Sequence, residues 1–184
     1  MISILYFMFK NLIYLAILLG CLSFNTFNWP KILSEKVNKS ISSTFETEEF
    51  SLNEVLVNDQ IKTSLPVPIN NNNLFIIKTG EIIIGYAYVG KAPSMKKEFD
   101  YIIMFDENLI IKKSKVLIYR EMHGKQIGSQ RWLKQFAGKS VNDSLELGKD
   151  IAGISGATIS TTSMTKATNE VLYAIKILHN NEIL

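Results

Sequence analysis

Apolar residues recur along this chain in several rhythms, and each rhythm predicts a different kind of element. From residue 1 to residue 27 they are almost continuous, with Lys10 and Asn11 interrupting them and Leu12 to Phe24 left as the unbroken run. A membrane-spanning helix needs about 20 such residues, whereas the apolar part of a secretion signal takes about 7 to 15. Beyond that run Leu33, Val37, Ile41 and Phe45 return at every fourth position, the one-sided stripe of a helix. Pro30 is placed for the first turn of this helix, and Trp29 is the kind of ring that sits at a membrane interface. The stripe predicts a juxtamembrane helix within 28–50, either docked on a domain or standing as a stalk, and Glu46, Glu48 and Glu49 end it.

The middle of the chain changes to strand-like alternation. Leu52 to Ile61 reads as a first irregular strand or helix, and Pro66, Pro68 and Asn70 to Asn73 punctuate a turn-rich passage before Leu74 to Lys78 resumes as a strand. Thr79-Gly80-Glu81 reads as a tight hairpin turn. In the next strand Ile82, Ile84, Tyr86 and Tyr88 are expected on one face and Ile83, Gly85, Ala87 and Val89 on the other, where Gly and Ala would let another element approach closely. Phe99, Tyr101, Ile103 and Phe105 alternate along a further strand, and Asp106-Glu107-Asn108 turns the chain into Leu109 to Tyr119. A change of apolar face near Lys113 predicts a bulge in a curved sheet. Ser129 is positioned to cap a short helix reaching Ala137, with Trp132, Leu133 and Phe136 on one side and Gly138 as its C-cap. Met164, Ala167, Val171, Ile175 and Leu178 then mark a C-terminal helix from about Ser160. The fold class expected is α+β: a curved antiparallel sheet packed with a short helix and a C-terminal helix, preceded by an N-terminal membrane-anchoring segment. The divisions are 1–27, 28–50 and a domain over 51–184.

Composition narrows the chemistry. The net charge of +3 comes from lysines dispersed among acids, without the basic stripe and interleaved aromatics of a nucleic-acid surface. Cys21 is the only cysteine, so no internal disulfide forms, and His123 and His179 make no metal cluster. Translation from Met8 would give a short basic start, the apolar run and then Leu18-Leu19-Gly20-Cys21, which looks like a lipoprotein box with Cys21 as the lipidated residue. An uncleaved signal anchor is the competing form. Both place the domain outside the cytoplasm and on the membrane.

The stretch Asp150 to Lys166 holds the most chemistry. Around Ser155-Gly156-Ala157-Thr158, small residues bring a bare backbone up to a hydroxyl, and Ser160, Thr161, Thr162 and Ser163 lead into the last helix. Ser and Thr here serve plain capping well. A helix start also offers free N–H groups and a partial positive charge to an anion. Gly153-x-Ser155 hints at a nucleophilic serine, but the elbow of such hydrolases has Gly two residues after the Ser, and Ala157 stands there.

The string SGAT, followed by Ile159-Ser160 and an amphipathic helix, resembles the covalent FMN-binding domain of the flavin subunits of sodium-pumping NADH:quinone reductase and Rnf electron-transport complexes. The resemblance runs from about Gly80 to Leu178 and takes in GYAYVGK and RWLKQFAGKS. It implies that Thr158 carries FMN through a phosphoester installed by a flavin transferase. It also implies that Ser155, Gly156, Ala157 and Ser160 form the site, and that Glu121 and Gly128 belong to a segment lying over the flavin. The family's motif usually has Asp where this chain has Ala152. Trp132 is expected in the core. The function implied is electron transfer by a membrane-anchored flavoprotein or redox subunit rather than a stand-alone enzyme, working with redox partner proteins. A cofactor-free anchored binding module that keeps the fold is the alternative, favoured by Ala152.

Overall fold

The computed structural model describes residues 29–70 and 72–184. The apolar segment 1–27, with Cys21 and the anchoring expected of it, lies outside the described residues. Among them no helix is long and apolar enough to cross a membrane.

The alternating stretches form an open five-stranded antiparallel sheet whose strands lie in chain order. They are β1 (Ser51–Glu54), β2 (Leu74–Thr79), β3 (Ile82–Pro93), β4 (Glu98–Phe105) and β5 (Ile111–Ile118). Helix α1 (Lys31–Phe45) precedes them, and one turn of helix, α2 (Asp59–Lys62), falls between β1 and β2. After β5 come a 3-10 turn at Lys125–Gly128, the short α3 (Gln130–Leu133), a second 3-10 turn at Lys134–Phe136 and the long α4 (Thr158–Asn180). The α+β class read from the sequence is the one observed.

Thr79 pairs with Ile82 across Gly80 and Glu81, with Gly80 at φ 58°, the positive φ that so tight a turn requires. In β3 the expected grouping of faces holds from Gly85 to Val89 and fails before Gly85. Ile77 pairs with Gly85 while Lys78 pairs with Ile83, so Ile84 is bulged, and a one-residue bulge reverses the side chains before it. Ile84 therefore packs with Ala87 and Val89, while Tyr86 and Tyr88 line the opposite face. The bulge expected near Lys113 is present: Met104 pairs with Lys113 and Phe105 with Ile111, leaving Lys112 between them. Leu109, expected to open the strand, belongs instead to the turn, at φ 61°, where the Asp106 carboxylate accepts the amides of Asn108 and Ile110 at 3.0 and 2.9 Å.

Each face of the sheet is covered. On one, Leu33, Val37 and Ile41 of α1 pack against Phe75, Ile77, Ala87, Val89, Ile102, Met104 and Leu117. The close approach expected at Gly85 is real, since a Cβ there would lie 2.2 Å from the Phe105 carbonyl oxygen and 2.8 Å from the Phe45 ring. Helix α1 is thus docked on the domain rather than standing as a stalk. Trp29 is taken up by the domain as well: its indole N–H donates to the Asn72 carbonyl at 2.9 Å and its ring meets Phe75 edge-on at 5.2 Å. On the other face Met164, Ala167, Val171, Ile175 and Leu178 of α4 join Tyr86, Tyr101, Ile103, Phe105, Trp132 and Phe136. Buried Thr161, Thr165 and Thr168 satisfy their hydroxyls on carbonyls of the preceding turn at 3.2, 2.9 and 2.8 Å, so they lie in the packed stripe without an unmet donor.

Candidate functional site at the head of the last helix

The motif has little regular structure of its own, and side chains from elsewhere hold its main chain. Trp132 is buried against Phe136, as the sequence predicts, and its indole N–H reaches out of the core to the Ala152 carbonyl at 2.6 Å. Gln135 Oε1 accepts the Ala152 amide at 2.8 Å. The backbone of residue 152 is therefore clamped from both sides while its methyl group is exposed. Asp150, the nearest acid, is engaged elsewhere: its carboxylate accepts the Glu146 amide at 2.9 Å and closes the preceding turn.

Next comes a turn from Ile154 to Ala157, closed by the Ala157 amide donating to the Ile154 carbonyl at 3.0 Å. Gly156 sits at its third position with φ 78°, where the chain needs a residue without Cβ. Ser155 and Gly156 are exposed, Ala157 is buried as the N-cap of α4, and Thr158 is the first helical residue and exposed. The helix starts two residues earlier than the periodicity suggests, so Thr158 belongs to the helix head and not to the turn before it. No side chain caps this end. The first amide of α4 with a backbone partner is Thr161, donating to Ala157 O at 2.9 Å. The amides of Thr158, Ile159 and Ser160 have no partner among the described residues.

The run of hydroxyls divides by partner. Ser160 is buried and shares a hydrogen bond with the Tyr119 hydroxyl at 3.0 Å. Thr161 turns back onto the Ala157 and Thr158 carbonyls. The Thr158 hydroxyl, by contrast, is exposed and bonds to nothing among the described residues. One turn thus presents a free alcohol, free amides and the positive end of a helix of 23 residues.

The loop after β5 supplies the neighbouring wall. A Cβ on Gly124, at φ 79°, would lie 2.6 Å from the Tyr119 hydroxyl and 3.4 Å from Ala157 Cβ, so this glycine permits the loop to press onto the motif. Glu121 faces a different element. Its Oε1 accepts the Lys96 amide at 2.6 Å, the Lys97 amide at 2.9 Å and the Ser94 hydroxyl at 3.0 Å, which ties the loop to the β3–β4 turn. These bonds, the Lys96 amide foremost, hold its carboxyl below the usual Glu range, against the opposing effect of partial burial. Arg120 pairs with the buried Asp100 carboxylate and donates to the Glu98 carbonyl at 2.9 Å. Gly128 ends the 3-10 turn, and the nearest atom to a Cβ there would be Val116 Cβ at 3.9 Å.

The structure therefore exposes Ser155, Gly156 and Thr158 together at the head of α4, with Ala157 and Ser160 buried beneath them and Glu121 tying the adjacent loop to the β3–β4 turn. Sequence reasoning missed Tyr119, Gly124 and Gln135. Only Gly124 carries a local signal, a glycine closing a polar stretch; the other two act through partners 17 to 41 residues away.

A donor set of amides and a free hydroxyl suits a phosphate ester, and no group of His, Cys, Asp and Glu among the described residues could hold a metal ion. Comparison with curated proteins gives no match. Residues 95–173 match the family model of the FMN-binding domain, a stretch that takes in β4, β5, the short helical turns, the motif and most of α4, and over that stretch the chain is similar to the FMN-binding family.

Proposed function

We propose that the protein is a membrane-anchored electron-transfer flavoprotein facing outside the cytoplasm, with FMN attached by a phosphoester to Thr158. The observation that carries this reading is the pairing, at the head of α4, of a hydroxyl and amides that have no partner among the described residues. The amides of Thr158, Ile159 and Ser160 would hold the phosphate, and the helix end favours its charge by roughly 0.3 to 1 kcal/mol. Ser155 and Gly156 leave the approach open, and buried Ala157 with the Tyr119–Ser160 bond fixes the helix start. FMN, when bound, supplies one- and two-electron redox chemistry. The protein's part is to hold and orient it. A covalent link keeps the cofactor at an effective concentration of about millimolar even over a shallow surface.

Maturation on this reading needs a flavin transferase, and the exposed turn from Ala152 to Thr158 is open to one. The apolar run before Phe24 supplies the anchor, through Cys21 as a lipoprotein or as an uncleaved signal anchor. Redox partner proteins complete the path. A second reading, an anchored binding module without cofactor, is favoured by Ala152, because the exposed position where the family usually shows Asp here offers a transferase only a methyl group.

Co-expression with the host's own flavin transferase, followed by intact-mass and peptide mass spectrometry, tests the main reading. An FMN adduct is expected on the peptide containing Thr158, Thr158→Ala should be colourless, and Thr158→Ser should be partly labelled. A colourless wild type that also fails to bind added FMN would leave the cofactor-free module. Fractionation with and without Cys21→Ala separates the two forms of anchor, and a wholly soluble cytoplasmic product would sink both.

A further inference from the structure

From Ile151 to Thr165 the motif has no Asp, Glu, Lys, Arg or His, so any charged side chain near it comes from neighbouring segments, beside the field of the helix end itself. The β3–β4 loop brings Met95, Lys96 and Lys97, and the bonds from Ser94, Lys96 and Lys97 to Glu121 sew it to the loop holding Met122 and Lys125. That second loop lies against the motif through Gly124. On the outward side the apolar side chains are bare. Met95 is 73% exposed, Met122 85%, and Ile159, next to Thr158, 51%.

Lys96, Lys97 and Lys125 stand among them, all exposed, and none forms an ion pair among the described residues. Glu121 accepts three hydrogen bonds and is held ionised in part by the Lys97 charge, which it partly offsets, while Arg120 is paired with Asp100. The two loops folded beside the motif thus expose apolar side chains together with three lysines against the acids Glu98 and Glu121.

We infer that this face receives an acidic protein partner, one that presents carboxylates around an apolar centre. The inference rests on the reading of Thr158 as the working position, which makes the surface around it the contact surface. Methionine is the adaptable side chain of protein-binding surfaces. The aromatic rings nearby do not form the belt that favours lipid, because Phe99 is buried and Tyr119 is turned inward onto Ser160. Complementary charge mainly steers the encounter and sets its register, as suits a brief electron-transfer contact.

The test measures the potential at residue 158 directly. In the full chain carrying Cys21→Ser, a nitroxide is placed on Thr158→Cys, a change that removes a hydroxyl without partners among the described residues. A control nitroxide goes on Asn108→Cys, in the exposed turn at the other end of β4. Collision of each label with a trianionic chromium oxalate complex is compared with collision with a neutral nickel chelate. At low salt the anion-to-neutral ratio at 158 is expected to exceed the control by about threefold or more. It should fall to the control value at ~1 M salt, where the screening length is about 3 Å. Combining Lys96→Glu, Lys97→Gln and Lys125→Glu should remove the excess, and Gln is used at 97 because the Lys97 charge also helps to hold Glu121 ionised.

Equal ratios at 158 and 108 in low salt would overturn the inference. So would loss of chelate collisions at 158 when phosphatidylglycerol vesicles are added, since the patch would then be a lipid surface. A raised ratio in a protein whose unlabelled form takes no FMN would defeat covalent attachment while supporting the charge character inferred for this face.

Discussion

The two faces of the sheet share the same strands and are held in different ways. The face under α1 is closed by burial: Leu33, Val37 and Ile41 lie on Phe75, Ile77, Ala87 and Val89, and the Trp29–Asn72 and Lys115–Ser43 hydrogen bonds lie at its edges. The face under α4 adds a set of directional bonds to its burial. Trp132 and Gln135 grip Ala152, Tyr119 meets Ser160, and Asn169 holds Leu145 through both its amide and its carbonyl, at 2.8 and 2.7 Å. The difference follows from what each face must position. A helix has satisfied its own backbone and needs only an apolar seat, whereas the passage from Leu145 to Ala157 has local turn bonds alone and borrows side chains to be fixed to the rest of the fold. The site sits on the face with the borrowed bonds.

The largest expected effect comes from removing the first face altogether. Deleting residues 1–50 exposes the seat of α1, and burial of Leu33, Val37 and Ile41 alone is worth about 1.5 to 3 kcal/mol each. That is a large part of the roughly 5 to 15 kcal/mol that holds a domain, so 51–184 should lose cooperative thermal unfolding. If circular dichroism shows it melting sharply at the parent temperature, α1 is an ornament and the comparison of faces fails.

On the second face Trp132→Phe keeps the ring in the core and removes the bond to Ala152. A loss of about 1 to 3 kcal/mol is expected from the unpaired carbonyl, with faster hydrogen exchange at Gly153 to Ala157 and slower flavin labelling at Thr158. Unchanged exchange in that stretch would mean that burial alone holds the turn.

A smaller effect is expected from acid. Because the folded-state pKa of Glu121 is depressed, its contribution is complete above the unfolded pKa and is lost as pH falls through the ordinary Glu range and then through the folded value. The Lys96 and Lys97 amide resonances should therefore move in that acidic window, and Glu121→Gln should abolish the step. Resonances that stay fixed until global unfolding would show that the β3–β4 turn does not depend on this carboxylate.

Thr158→Ala is expected to change stability least, within about 0.5 kcal/mol, as for a surface residue outside any bonding network. A clear drop in melting temperature would show that the hydroxyl has a structural role, and the contrast with its bonded neighbours Ser160 and Thr161 would disappear.

Much of this was legible beforehand because it is local. The four-residue recurrence in Leu33 to Ile41 and the stripe from Met164 to Leu178 specify helices with one buried side, and both sides are buried. The alternation through Phe99 to Phe105 specifies a strand, and Gly80 marks the tight turn. Trp132 was readable as core because its apolar neighbours share its side. Less legible was what depends on a single displaced residue, as at Ile84, where one bulge moves a side chain through the sheet.

By itself the sequence determined the elements, their order and the presence of a hydroxyl-bearing turn before a long helix, since hydrophobic period and turn chemistry act within a few residues of chain. Only the tertiary structure decided which hydroxyl stays free. Ser160 and Thr161 have the same chemistry as Thr158, but one is taken by Tyr119 and the other by the preceding carbonyls, because the helix face they share points into the core. The tertiary structure likewise decided that Glu121 braces a turn 24 residues away, by accepting the Lys97 amide. Such groupings rest on strand register and on hydrogen bonds between distant segments, which no local pattern encodes.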